Sequence, residues 1–198
     1  MADFNIVPKI SYVNSLISGK ALKDLKVPGS VLPYDPKQVS FGDMSRLEPS
    51  KVPAPAGLTT AAAGVELPAP VKVGGSGNAT QWRFDGGDII LDVEIAIYII
   101  EDYASIAPLF KVIMEHEYLH VLDYQTLAKS GTSKLFAADT TLQPWLNGET
   151  WTGDAFYTRA ATVWAVEAKR LGNKRDTGAE YERHKQEIVK LAARLVPK

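Results

Sequence analysis

Cysteine is absent from the 198 residues, and with it go disulfides, thiolate nucleophiles and Cys-ligated zinc. A cysteine-free chain suits either redox environment, so its compartment stays open. Excess charge is missing too. Lys plus Arg total 22 against 23 Asp plus Glu, a formal charge of −1, which provides no basic field for phosphate backbones and argues against a nucleic-acid partner. Long apolar runs are also lacking: the longest, Ile95 to Ile100, is far short of the ~20 residues a bilayer needs, so no membrane partner is expected. The opening Met1-Ala-Asp-Phe-Asn5 has neither a positive n-region nor an apolar h-region, so no Sec signal is read there. A cytoplasmic location, or export by a signal-independent route, is the expectation. Oligomeric state is not encoded in any pattern of this kind.

What is present is an ordinary globular composition, 45% hydrophobic and 23% charged. Eight of the twelve prolines fall between Pro28 and Pro70. Proline fixes φ and removes a donor, so residues 28–70 are expected to be an extended arm or linker within an N-terminal segment 1–70. The remainder, 71–198, is expected to be the functional domain. Within it, Thr80–Phe84, the Asp85-Gly-Gly87 turn and Ile89–Ile99 read as a β-hairpin. Every odd position from 89 to 99 is apolar while Asp92 and Glu94 face the other way, which is the alternation of a strand with one buried face. Helical spacing follows from Leu109 to about Lys129, then a loop at 130–133, then helices at about 154–171 and 176–196 broken at Gly172-Asn173. Strands first and helices after predict an α+β fold.

The chemistry sits in His116-Glu117-Tyr118-Leu119-His120, which holds two of the three histidines. Positions i and i+4 share one helix face, so both imidazoles reach a single Zn²⁺. Glu117 is rotated by about 100° and is left to act on a water at the metal's open side as general base. Val112, Ile113, Met114, Tyr118, Leu119, Val121 and Leu122 surround the motif, so the helix is expected to be buried nearly all round. Ionisable groups in such a wall need partners, and a metal provides them.

This HExxH motif, following a long alternating strand, resembles the zincin metallopeptidases over about residues 80–171. The likeness implies an antiparallel or mixed sheet ahead of the buried HExxH helix, a peptide or protein substrate, and the 88–100 strand presenting that peptide along its edge. The metzincin branch is excluded, because its Gly and third His positions are Asp123 and Thr126 here. The gluzincin branch takes a glutamate from a later helix. Glu167 is the one acid in Ala160–Ala168 and is the expected third metal ligand. His120-Val-Leu-Asp-Tyr124, Tyr157-Thr-Arg159 and Val166-Glu-Ala-Lys-Arg-Leu171 are similar to segments of the anthrax-lethal-factor-like gluzincins, a likeness that gives Tyr157 the role of oxyanion donor. That group carries two acids four apart, the first being the ligand, and the earlier position here is Val163. Either Glu167 takes the ligand role or the segments align otherwise. His184, on the apolar stripe of the last helix, is read as a core histidine, a third ligand, or a donor to one of the metal's ligands. Asp123 suits an acceptor that orients an imidazole, and Glu149 and Asp154 rank below Glu167 as ligands. The expected function is zinc-dependent peptide hydrolysis. A zinc hydrolase of a non-protein amide such as peptidoglycan, and a catalytically silent zincin-like module, are the alternatives.

Overall fold

A computed structural model describes residues 3–13, 37–47 and 55–195. The fold is mixed α and β, as the order of sequence patterns predicts. The 28–36 and 48–54 portions of the Pro-rich stretch lie outside the described residues. Its described portions are regular rather than loose: strand β2 (Lys37–Val39), helix α1 (Phe41–Leu47) and strand β3 (Gly57–Glu66). The chain compacts into two units that do not divide at residue 70. Among the described residues the first gathers 3–11, 61–94 and 124–170, and the second 12–13, 37–47, 55–60, 95–123 and 171–195. Among the described residues no helix is long and apolar enough to cross a membrane.

Strand β6 (Gly87–Ile100) follows the alternation: Ile89, Leu91, Val93, Ile95, Ile97 and Ile99 are all buried, while Glu94 is exposed. Its place in the sheet differs from the expectation. The sheet order is β1 (Phe4–Tyr12), β6, β2, and β3 also pairs with β6. Among the described residues β6 therefore lies between partner strands, not at the sheet's edge where a peptide-presenting strand is expected. The expected hairpin is also corrected. β5 (Gln81–Arg83) pairs with β4 (Val71–Gly74) and β7 (Thr150–Thr152) in a separate antiparallel sheet. The Asp85-Gly-Gly87 turn, with φ of 99° and 111° at Gly86 and Gly87, leads from one sheet to the other instead of folding a strand onto itself.

In the first unit, Trp82 stands opposite Trp151 across β5 and β7. Trp151 in turn lies 5.1 Å from the Phe156 ring at the start of helix α6 (Ala155–Arg175). The loop expected at 130–133 is helical. After residue 126 the chain makes a π-type turn, Leu127–Gly131, and enters helix α4 (Thr132–Ala138) directly. Hydroxyls explain this: Ser130 Oγ donates to the Thr126 carbonyl at 2.9 Å and Thr132 Oγ1 to that of Leu127 at 2.8 Å. Asp139 then serves two elements. Its Oδ1 accepts the N–H groups of Thr141 and Leu142 at the start of helix α5 (Leu142–Leu146), and Arg159 of α6 binds both its oxygens at 3.1 and 2.7 Å. The Arg159 hydrogen bonds, with the two backbone N–H groups, hold the Asp139 carboxyl below its ordinary value against the opposing effect of burial. A depressed carboxyl stabilises the fold above its unfolded value, about pH 4, and the contribution is lost as pH falls further. Asp139→Ala is expected to cost about 1–2 kcal/mol at neutral pH through the lost helix-start bonds. In urea unfolding, the gap between variant and wild type should narrow at acid pH; an equal gap at both pH values would count against this account.

In the second unit, β2 runs parallel to the end of β6, with Lys37 beside Tyr98 and Val39 beside Ile100. Ser40 opens α1: its Oγ accepts the Asp43 N–H at 3.1 Å and donates to the Asp43 carboxylate at 2.7 Å. Helix α2 (Glu101–Ala104) follows β6, and Pro108 sits in the first turn of helix α3 (Ala107–Thr126), where a missing N–H costs nothing. Helix α7 (Ala179–Leu195) closes the unit. The break between α6 and α7 is not at Gly172-Asn173. α6 continues through both to Arg175, leaving Asp176-Thr-Gly178 as the connection. Thr177 Oγ1 helps end α6 by donating to the carbonyls of Asn173 and Lys174 at 3.1 and 3.3 Å.

Candidate metal centre

Residues 112–121 of α3 are buried or half-buried on every side, as the apolar surround of the motif predicts. Within this wall His116, Glu117 and His120 are 6%, 5% and 5% exposed. One helical turn brings the two imidazoles together: their Nε2 atoms are 3.2 Å apart and the rings meet edge to face at 4.9 Å. The carboxylate that joins them comes from the turn after α6. Asp176 Oδ1 lies 3.2 Å from His116 Nε2 and 3.0 Å from His120 Nε2. Burial alone would lower the proton affinity of His120. A hydrogen bond donated to Asp176 and the charges of Glu117, Asp176 and Asp123 overcome this and raise it. A buried imidazole kept basic by nearby carboxylates marks surroundings that favour positive charge.

The three ligand atoms pass a simple geometric test. A tetrahedral Zn²⁺ with bonds of about 2.0–2.2 Å places its ligand atoms about 3.3–3.6 Å apart. The observed separations of 3.0–3.2 Å need to open by only a few tenths of an ångström. His116, His120 and Asp176 form a buried to half-buried group that could hold a metal ion. No family model matches the chain, and neither a curated protein nor a solved structure does.

Glu117 points elsewhere, as its position on the helix requires. Thr59 of β3 donates its hydroxyl to Glu117 Oε2 at 2.8 Å, with the Glu117 carbonyl at 3.1 Å. The start of β3 presses close: a Cβ on Gly57 would stand 2.6 Å from Ile113 Cγ2 and 2.8 Å from Glu117 Oε1. Only glycine fits there. Gly57→Ala is expected to destabilise the protein by about 1–3 kcal/mol and to displace the Glu117 carboxylate. Gly64→Ala in the same strand, where a Cβ meets no described atom within 4 Å, should be nearly neutral. Equal urea midpoints for the two variants would refute the close approach.

The sequence-derived candidates part company here. His116 and His120 come together while Glu117 turns toward Thr59, and His184 joins the pair: its buried ring lies 5.6 Å from that of His116, so all three histidines share one locality. Tyr181 of α7 tilts against His116 at 5.3 Å. Asp123 does not orient an imidazole in the expected way; both its oxygens bind Arg175, at 3.0 and 2.7 Å. Glu167, expected as third ligand, lies in the first unit with its charge already answered. Arg170, one turn on, grips both its oxygens at 2.7 and 2.6 Å and holds its carboxyl low. Tyr157, also in the first unit, packs edge to face on Phe156 at 5.9 Å, and burial raises its phenol. Glu149 and Asp154 are exposed in that same unit. The residue missed from sequence is Asp176. An acid in the Asp176-Thr-Gly178 helix break is the available signal, obscured by placing the break four residues early.

Proposed function

We propose that the chain is a zinc-dependent metallopeptidase of zincin type in which His116, His120 and Asp176 hold the metal and Glu117 is the general base. The supporting observation is the convergence of two HExxH imidazoles and one carboxylate oxygen within 3.2 Å, beside a buried glutamate that is not part of the cluster. Bound zinc supplies Lewis acidity and lowers the pKa of a water to about 7. Glu117 accepts a proton from the attacking water and returns it to the departing amine. Thr59 fixes the carboxylate by donating its hydroxyl to Oε2. Tyr181 and His184 flank His116 and are the candidates to donate to a developing oxyanion, the role that the gluzincin likeness gives to Tyr157.

One observation favours a second reading, a zincin-like module that binds metal without turnover. Glu117 is only 5% exposed and the Gly57–Thr59 segment lies against its carboxylate. Incubating the zinc-loaded protein with an unstructured substrate such as casein separates the two. Cleavage that stops on chelation and returns with zinc is the expected result. One bound zinc with no cleavage of any peptide would favour the silent module.

A further inference from the structure

Asp176 is the only proposed ligand that does not stand on the HExxH helix, so something must bring it there. Its own backbone begins the answer. The Asp176 N–H donates to the Gly172 carbonyl at 3.0 Å, which ties the residue to the last turn of α6. The residue before it, Arg175, reaches α3: its Nε and a terminal nitrogen bind the two oxygens of Asp123 at 3.0 and 2.7 Å. Asp123 lies three residues beyond His120 on that helix, within one turn of a proposed ligand. Consecutive Cα atoms are about 3.8 Å apart, so fixing Arg175 against α3 confines where the Asp176 side chain can start.

We infer that the Arg175–Asp123 pair is a latch that positions Asp176 for the metal, an inference that rests on the metallopeptidase proposal above. The forked, two-bond geometry sets orientation as well as distance, which a single ammonium contact would not. The side chains of Arg175 and Asp123 are 27% and 25% exposed, so the pair is half-buried and partly screened by water, and its share in global stability is modest. A metal site is far less tolerant, because residues that only orient ligands typically change metal affinity 10–100-fold. Arg175 and Asp123 are thus positioning residues, acting through Asp176.

The test is a zinc titration against a chromophoric chelator, using the full chain. Arg175→Ala is expected to weaken zinc about 10–100-fold while the metal-free urea midpoint barely moves. Asp123→Asn, which preserves shape, should give a similar loss and serves if Arg175→Ala fails to fold. Exchanging the charges, Asp123→Arg with Arg175→Asp, should recover part of the affinity. In an Asp176→Ala background, Arg175→Ala should cause no further loss, since the latch then has no ligand to position. The same loss with and without Asp176 would reduce the pair to ordinary structure and overturn the latch. Wild-type affinity in Arg175→Ala, while His120→Ala loses zinc, would overturn the latch alone. Failure of the wild-type chain to bind zinc would overturn the metal centre and the latch together.

Discussion

Asp176→Ala is expected to weaken zinc binding by about 10²–10³-fold. Structural zinc sites bind with about 10–16 kcal/mol shared among four ligands, or about 2.5–4 kcal/mol for each. At fixed excess zinc, the metal-dependent part of the unfolding free energy should fall by about 2.7–4.1 kcal/mol, the equivalent of that loss. The measurement is a pair of urea curves, with zinc and with chelator, for variant and wild type. Glu167→Ala provides the contrast. Its carboxylate is engaged by Arg170 on the same helix, so the variant should keep zinc stoichiometry and affinity. Loss of zinc from Glu167→Ala with retention in Asp176→Ala would restore the gluzincin ligand set and reject the one proposed here.

Glu117→Gln should bind zinc as tightly as the wild type and lose about 10²–10⁴-fold in peptide cleavage. The amide keeps the size of the carboxylate, and its oxygen still accepts the Thr59 hydroxyl, so the packing under β3 survives. What disappears is the proton acceptor. Removing a general base raises the barrier by about 1.4 kcal/mol for each tenfold of rate lost. Cleavage by Glu117→Gln at the wild-type rate would remove Glu117 from the chemistry. Loss of zinc in this variant would make it a ligand, contrary to its separation from the His116, His120 and Asp176 group.

The parts of this site that are legible in sequence are the local ones. His116 and His120 meet because helix geometry alone sets i against i+4, and the alternation of β6 survives because strand geometry alone sets its two faces. Both are visible in the burial of His116, His120 and the odd positions from Ile89 to Ile99. Non-local partners leave no such period. Asp176 is 56 residues beyond His120, and its role depends on where α6 stops, which Thr177 and the carbonyls it caps help decide. Glu167 shows how a local partner escapes such a reading. A lone acid among apolar residues suggests a buried charge in need of a metal, yet Arg170 three residues on satisfies it at the surface. Strand pairing is likewise hidden: an Asp-Gly turn between two strand patterns implies a hairpin, but the same positive φ angles also serve a crossing between sheets.

The most direct measurement is an anomalous-difference map at the zinc edge from crystals of the zinc-loaded chain. A single peak is expected, about 2.0–2.2 Å from His116 Nε2, His120 Nε2 and a carboxylate oxygen of Asp176, with Glu117 unliganded. No peak near α3, or a peak whose protein ligands do not include Asp176, would contradict the metal centre described here.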